Sequence, residues 1–403
     1  MIFPLLLIFC CFFTASAEVP KIRYERESGR PTVQATGIWE KIAGAGISNN
    51  SNTPVGMIAY AVAENNCMFN WVPSNDAARI TGQADIMDAV LSQDESLLII
   101  AERIGGANKN NSTRLVFVNL LNNKLCGGFE IPERRIVKLF TLPGQNGRIL
   151  AYQEGQSVFQ NSNALLNIDI RRKRVRQIGA DITENISEIC TDGNKVWYAS
   201  SKNNRICEID FDEPFKPRYC DTKKAVSKLC YNPAFKSVIA FEDGTCEFFT
   251  VTANGLFLDS SVRLPENYEV AWCMAGPPQS NSAIVMDKNG NGYFVTSGGV
   301  MPMSGRLEPY GCVLADGTIL IGTVARSSRI NNIVLPGGEI KRYFAPSNLR
   351  PSTRNRTLAI YSRSAEIPEI ILLDDRANVF KFVLTSRSAR KSPVLIVNKT
   401  GMR

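Results

Sequence analysis

Short runs in which apolar and polar residues alternate recur along the chain, each followed by a polar turn and a second such run. The stretch KVWYASSKNNRICEID, residues 195–210, shows the unit: two alternating runs around Ser-Lys-Asn-Asn. Period-two alternation suits a strand with one face buried, so the stretch predicts a hairpin. Its first run has counterparts in VGMIAYA from Val55, LLIIA from Leu97, RILAY from Arg148, SVIAFED from Ser237, AIVMD from Ala283, TILIG from Thr318 and EIILLDD from Glu369. The runs start about 35 to 52 residues apart, the spacing of units of four short strands.

Turn chemistry agrees with this division. Asp243-Gly244 and Lys288-Asn289-Gly290-Asn291-Gly292 follow two of the runs, and tight hairpins need Gly or Asn where φ turns positive. A strand-like segment precedes each run, as in ISEICTD, VSKLCYN, YEVAWCM and PYGCVLAD, and a fourth, such as RVRQIGA or PVLIV, follows. The unit therefore reads as strands a, b, c and d. Repeated antiparallel units of this kind close radially, which leaves only short sheet edges. The expectation is an all-β chain folded as a single β-propeller of seven or eight four-stranded blades, seven if the run at Val55 only supplements an edge. Two β-sandwiches are the competing arrangement, and DIMDAVLSQDESLL, residues 85–98, also fits a helical period.

The b-turn-c wording VWYASSKNNRICEID resembles the NHL and SMP-30-like (YVTN-type) class of propeller repeats. ILLDDRANVFKF, residues 371–382, resembles it in part. The resemblance implies a repeat type and names no activity. WD40 signatures are absent, because no Trp-Asp dipeptide occurs and a chain with no histidine has no Gly-His.

Residues 1–17 carry no charge and end in Ala15-Ser16-Ala17, the pattern of a secretory signal peptide. The expected division is then a signal peptide at 1–17, an N-terminal segment at 18–36, the propeller at 37–397 and a tail at 398–403. No later run is long and apolar enough to span a bilayer. Secretion predicts an oxidising compartment, where some cysteines pair. Cys207 and Cys220, on neighbouring c and d strands, are the candidate disulfide. Cys190, Cys230, Cys273 and Cys312 share the a strands of successive units and read as small buried apolar residues. Candidate glycosylation sequons stand at Asn49, Asn110, Asn111, Asn185, Asn355 and Asn398.

The composition narrows the chemistry. With no histidine among 403 residues, nucleophilic sites that rely on imidazole and His-ligated metal centres are excluded. Carboxylate chemistry survives, and Glu242, Asp243, Asp287, Asp374 and Asp375 fall where b strands meet their turns, where turn capping explains them. DKNGNG, residues 287–292, matches half of a calcium loop but has Gly298 where the bidentate Glu belongs. No metal and no cofactor are expected.

The charge run that stands out is RRKRVR, residues 171–176, in a chain of net charge +8. Arg171, Arg172, Lys173 and Arg174 occupy a c-d turn; Arg387, Arg390 and Lys391 occupy the last one, and Lys216 and Arg218 a third. These turns share one face of a propeller, so the face attracts polyanions. The secretory segment argues against nucleic acid and for an extracellular protein or acidic glycan. The expectation is a secreted, non-enzymatic binding module. Its alternatives are a carboxylate-dependent polysaccharide hydrolase or lyase, and a structural matrix or surface-coat component.

Overall fold

The computed structural model describes strands between Arg23 and Ile396, with side chains from residue 86 to 307 apart from 95, 105–111, 120–124, 156–162, 181, 183–185, 201–202 and 304–305, and at residue 319. These strands form eight antiparallel sheets, seven of four strands and one of five. Blade 1 holds β1 (Arg23–Glu27), β2 (Ile42–Ser48), β3 (Ile58–Ala63), β4 (Asn66–Trp71) and β5 (Asp76–Thr81), in the order β1-β5-β4-β3-β2. Blade 2 holds β6 (Ile86–Leu91), β7 (Leu97–Ile104), β8 (Ser112–Asn119) and β9 (Lys124–Ile131). Blade 3 holds β10 (Ile136–Thr141), β11 (Arg148–Gln153), β12 (Asn163–Asp169) and β13 (Arg174–Ile182). Blade 4 holds β14 (Ile186–Thr191), β15 (Lys195–Ser200), β16 (Arg205–Asp210) and β17 (Arg218–Asp221).

Blade 5 holds β18 (Val226–Asn232), β19 (Ser237–Glu242), β20 (Thr245–Thr252) and β21 (Gly255–Arg263). Blade 6 holds β22 (Trp272–Ala275), β23 (Ser282–Met286), β24 (Gly292–Thr296) and β25 (Gly299–Pro302). Blade 7 holds β26 (Arg306–Val313), β27 (Ile319–Val324), β28 (Arg329–Val334) and β29 (Ile340–Lys341). Blade 8 holds β30 (Thr357–Ser362), β31 (Glu369–Asp374), β32 (Val379–Thr385) and β33 (Val394–Ile396).

All eight runs read from the sequence as b strands are second strands of blades, the one at Val55 included. The first strands line up around an axis: β2 packs beside β6, β6 beside β10, β14 beside β18, β18 beside β22, β22 beside β26, β26 beside β30, and β30 returns to β2; blades 3 and 4 join through a shared apolar layer. The chain is a single β-propeller whose ring closes on eight blades. The described residues of 86–98 form no helix; β6 turns at Ser92, where Asp94 accepts from the Ser92 hydroxyl at 2.6 Å and the Ser96 hydroxyl at 2.8 Å. That carboxylate fixes the turn which a continued helical period would have run through.

The core is layered between blades, and b-strand alternation decides which layer each residue enters. Third and fifth residues face the next blade: Ile99 and Ala101 meet blade 3, Trp197 and Ala199 meet blade 5, Ile239 and Phe241 meet blade 6, Ile284 and Met286 meet blade 7. Second and fourth residues face the previous blade, as Ile149, Ala151, Val238, Ala240, Ala283 and Val285 do. Burying a large apolar side chain stabilises by roughly 1.5–3 kcal/mol, and the alternation gives every blade two such faces. A one-residue slip would exchange them. The b-c turns follow the expected chemistry, with Gly244 at φ 71°.

Candidate arginine cleft

Between blades 3 and 4 the apolar layer gives way to charge toward the face that carries the a-b and c-d turns. Register shows how. Leu165 pairs with Ile178 and packs against blade 4; one step on, Leu150, Asn167 and Arg176 stand in a row; beyond it come Arg148, Asp169 and Arg174. The blades part there into a cleft of about 230 Å³, lined on the blade 3 side by Arg148, Arg172, Arg174 and Arg176. Asn194, Phe211 and Asp212 of blade 4 form the opposite wall, and Gln145 bridges the mouth by donating to Asn194 Oδ1 at 3.2 Å.

The cationic groups are only partly neutralised. Asp169 Oδ1 accepts from the Arg172 amide at 2.9 Å, and its other oxygen lies 4.0 Å from the Arg172 guanidinium. The Arg176 guanidinium lies 5.7 Å from the centre of the Phe215 ring, a cation–π contact that orients it without neutralising it. Among the described residues, none of Arg148, Arg174 and Arg176 pairs with a carboxylate. Four guanidiniums against two carboxylates leave a positive pocket with amides at its edges. Guanidinium forks bind sulfate or carboxylate oxygens two at a time, and the amides of Gln145, Asn167 and Asn194 can meet hydroxyls.

The structure divides the expected basic run by parity. Arg172 and Arg174 enter the cleft; Arg171 leans over Gly147 in the neighbouring turn, and Lys173 forms the turn itself at φ 51°. The sequence reading missed Arg148 and Arg176. Period-two spacing from Arg172 pointed to Arg176, and only strand register brings in Arg148. Lys216 and Arg218 do not join the cleft: Lys216 pairs with Glu213 at 2.9 Å, and Arg218 turns to Glu208 at 3.7 Å and to the Ala253 carbonyl. Arg387, Arg390 and Lys391 lie outside the described residues, as do the asparagines of all six sequons and residues 1–17.

Cys207 and Cys220 are free thiols and form no bridge. Cys220 stands opposite Ile206, one position from Cys207. That offset puts the two on opposite faces of the sheet, Cys207 toward blade 3 and Cys220 toward blade 5.

The carboxylates at strand ends have separate fates. Asp287 closes its turn, with Oδ1 accepting from the amides of Asn289 and Asn291 at 2.8 Å each and Oδ2 from the Asn291 side chain at 2.7 Å. Glu242 does not cap its turn. It is buried and faces Glu247 of β20, and burial first, then the Glu247 charge, push its carboxyl up to about 7. Glu242 and Glu247 are each only 1% exposed, whereas a glycosidase pair flanks an open site that admits a sugar. Asp374 and Asp375 have no described side chains.

No family model matches the chain, and no curated protein matches it. Solved structures do. A chain of the mitotic checkpoint complex is 13% identical, covers 81% of this chain and 92% of its own, and superposes with a TM-score of 0.51. Dihydro-heme d1 dehydrogenase NirN is 12% identical, with 83% and 72% covered and a TM-score of 0.55. The Dos1 propeller is 12% identical, with 67% and 74% covered and a TM-score of 0.50. Likeness at this identity shows the propeller fold alone and does not confirm the NHL and SMP-30-like repeat class.

Proposed function

We propose that the protein is a secreted, non-enzymatic binding module that holds an anionic extracellular ligand in the cleft between blades 3 and 4. The observation that carries this reading is the convergence of Arg148, Arg172, Arg174 and Arg176 on one cavity that holds only two carboxylates. A propeller supplies rigid faces for binding without a catalytic group, and function lives in the site rather than in the fold. Three amides beside four guanidiniums suit a ligand that mixes anionic groups with hydroxyls, so an acidic glycan fits this lining better than an acidic protein surface. Secretion rests on the uncharged apolar stretch at residues 1–17.

The test is retention on immobilised heparin of the mature protein beside a variant with Arg148, Arg172, Arg174 and Arg176 changed to Ser, and a Lys216→Ser control. The wild type and the control are expected to elute well above physiological salt, and the cleft variant near the void. Elution of all three together at low salt would refute the reading.

A further inference from the structure

The inner strands β18 and β22 pack side by side where blades 5 and 6 meet, and each carries a cysteine. Register decides which way each points. Cys230 stands opposite Ile239, the third residue of β19, which faces blade 6. Cys273 stands opposite Val285, the fourth residue of β23, which faces back to blade 5. Directly opposed residues of paired strands share a sheet face, so both cysteines enter the same layer. Cys190 stands opposite Trp197 and packs in the layer between blades 4 and 5 instead. Membership of the inner row therefore does not make it a partner.

Contacts bring the two cysteines together. Cys273 Sγ lies 3.5 Å from the carbonyl of Leu229, the residue beside Cys230, and Cys230 and Cys273 pack in one apolar cluster. Both are free. Cys230 is buried and Cys273 half-buried, so Cys273 is the first of the two that a reagent reaches.

We propose that Cys230 and Cys273 are a modification site at which a small disulfide, of the class of oxidised glutathione, installs a covalent bridge between blades 5 and 6. The deprotonated sulfur of Cys273 attacks one sulfur of the oxidant, which breaks its S–S bond and releases one thiol. Cys230 then displaces the second thiol from the mixed disulfide. One protein S–S bond forms, the two thiol protons pass to the departing sulfurs, and the two electrons given up reduce the oxidant to two thiols. The contact with Cys230 and enclosure in the layer hold the Cys273 thiol protonated well above the ordinary range, so the bridge forms faster as pH rises. The bridge is independent of the arginine cleft, and heparin retention is unchanged by it.

The experiment treats the folded full chain with oxidised glutathione, blocks remaining thiols in denaturant and maps tryptic peptides without reduction. The expected product joins the peptide 229–236 to the peptide 264–288, with at least a threefold faster appearance at pH 9 than at pH 7. It persists in Cys190→Ser and vanishes in both Cys273→Ser and Cys273→Ala, two variants used so that a folding defect in one does not decide the matter. Recovery of Cys230 and Cys273 fully blocked, while the exposed Cys126 has taken up glutathione, would overturn the proposal. So would a bridge from either cysteine to Cys190.

Discussion

The indole Nε1 of Trp197 donates to the Glu208 carboxylate at 2.9 Å inside the layer between blades 4 and 5. The other oxygen of Glu208 takes the Lys195 ammonium at 2.8 Å, and the indole stacks on Tyr231 of blade 5 with centroids 5.2 Å apart. One carboxylate thus satisfies a buried donor and a mostly buried cation while the ring closes the next interface. Removing an acceptor from such a set leaves its partners unsolvated and unpaired. Glu208→Ala is expected to lower unfolding stability by about 3 kcal/mol, read as a drop in the urea midpoint with an unchanged slope. A loss under about 1 kcal/mol would mean that Lys195 and the indole find water.

Glu242 makes stability depend on pH. Its native carboxyl holds a proton up to about pH 7, whereas an unfolded glutamic acid gives its proton up near pH 4.5. The native state therefore binds more protons across that window, and stability is greatest below it and declines as pH rises through it. The expected decline is on the order of 1–2 kcal/mol. Glu242→Gln, which keeps the shape and removes the charge, should flatten the profile between about pH 4.5 and pH 7 and be the more stable protein at pH 8. Asp88, pushed up to about 6 chiefly by burial, leaves a residual slope of the same sign at lower pH.

Gly193 sits in the a-b turn of blade 4 at φ 97°, and a Cβ there would stand 1.8 Å from the Pro143 carbonyl of blade 3. Backbone meets backbone, so no rotamer change relieves the clash. Gly193→Ala is expected to cost at least about 2 kcal/mol in thermal or urea unfolding. It should also weaken heparin retention, because its neighbour Asn194 lines the arginine cleft.

The two signs of charge in that cleft give opposed single-site tests. Asp169→Asn removes a carboxylate and should raise heparin affinity, with later elution; Arg174→Ser should lower it. Each shift is expected to be roughly two- to tenfold at low salt and smaller at high salt. Isothermal titration with a defined sulfated oligosaccharide gives the numbers, and shifts of the same sign in both variants would contradict the electrostatic account.

The blades were legible because one period governs them. Ile99, Leu150, Trp197, Ile239 and Ile284 hold the same place in their b strands, and each apolar run of two alternating faces could be read without contacts. Turn glycines such as Gly244 marked where the strands reverse. The cleft was half legible: parity along 172–176 was on the page, yet Arg148 lies far back in the chain and reaches the site through pairing with Asp169. The Cys207–Cys220 pairing failed for the same reason, since neighbouring strands were known but the one-residue offset between them was not. Glu242 was misjudged because a strand-end acid ordinarily caps a turn, and only the opposing strand reveals Glu247.

Every blade is a run of consecutive strands, and the seam between β30 and β2 is crossed by no exchanged strand. Topologically this seam is one interblade junction among eight. A chain begun at the connection 222–225 and ended after β17, with the present ends joined by a flexible tether, would meet the same neighbours in the same rotational order. The molecule is cyclic in its architecture though linear in its chemistry, and its first residue is a matter of where synthesis starts.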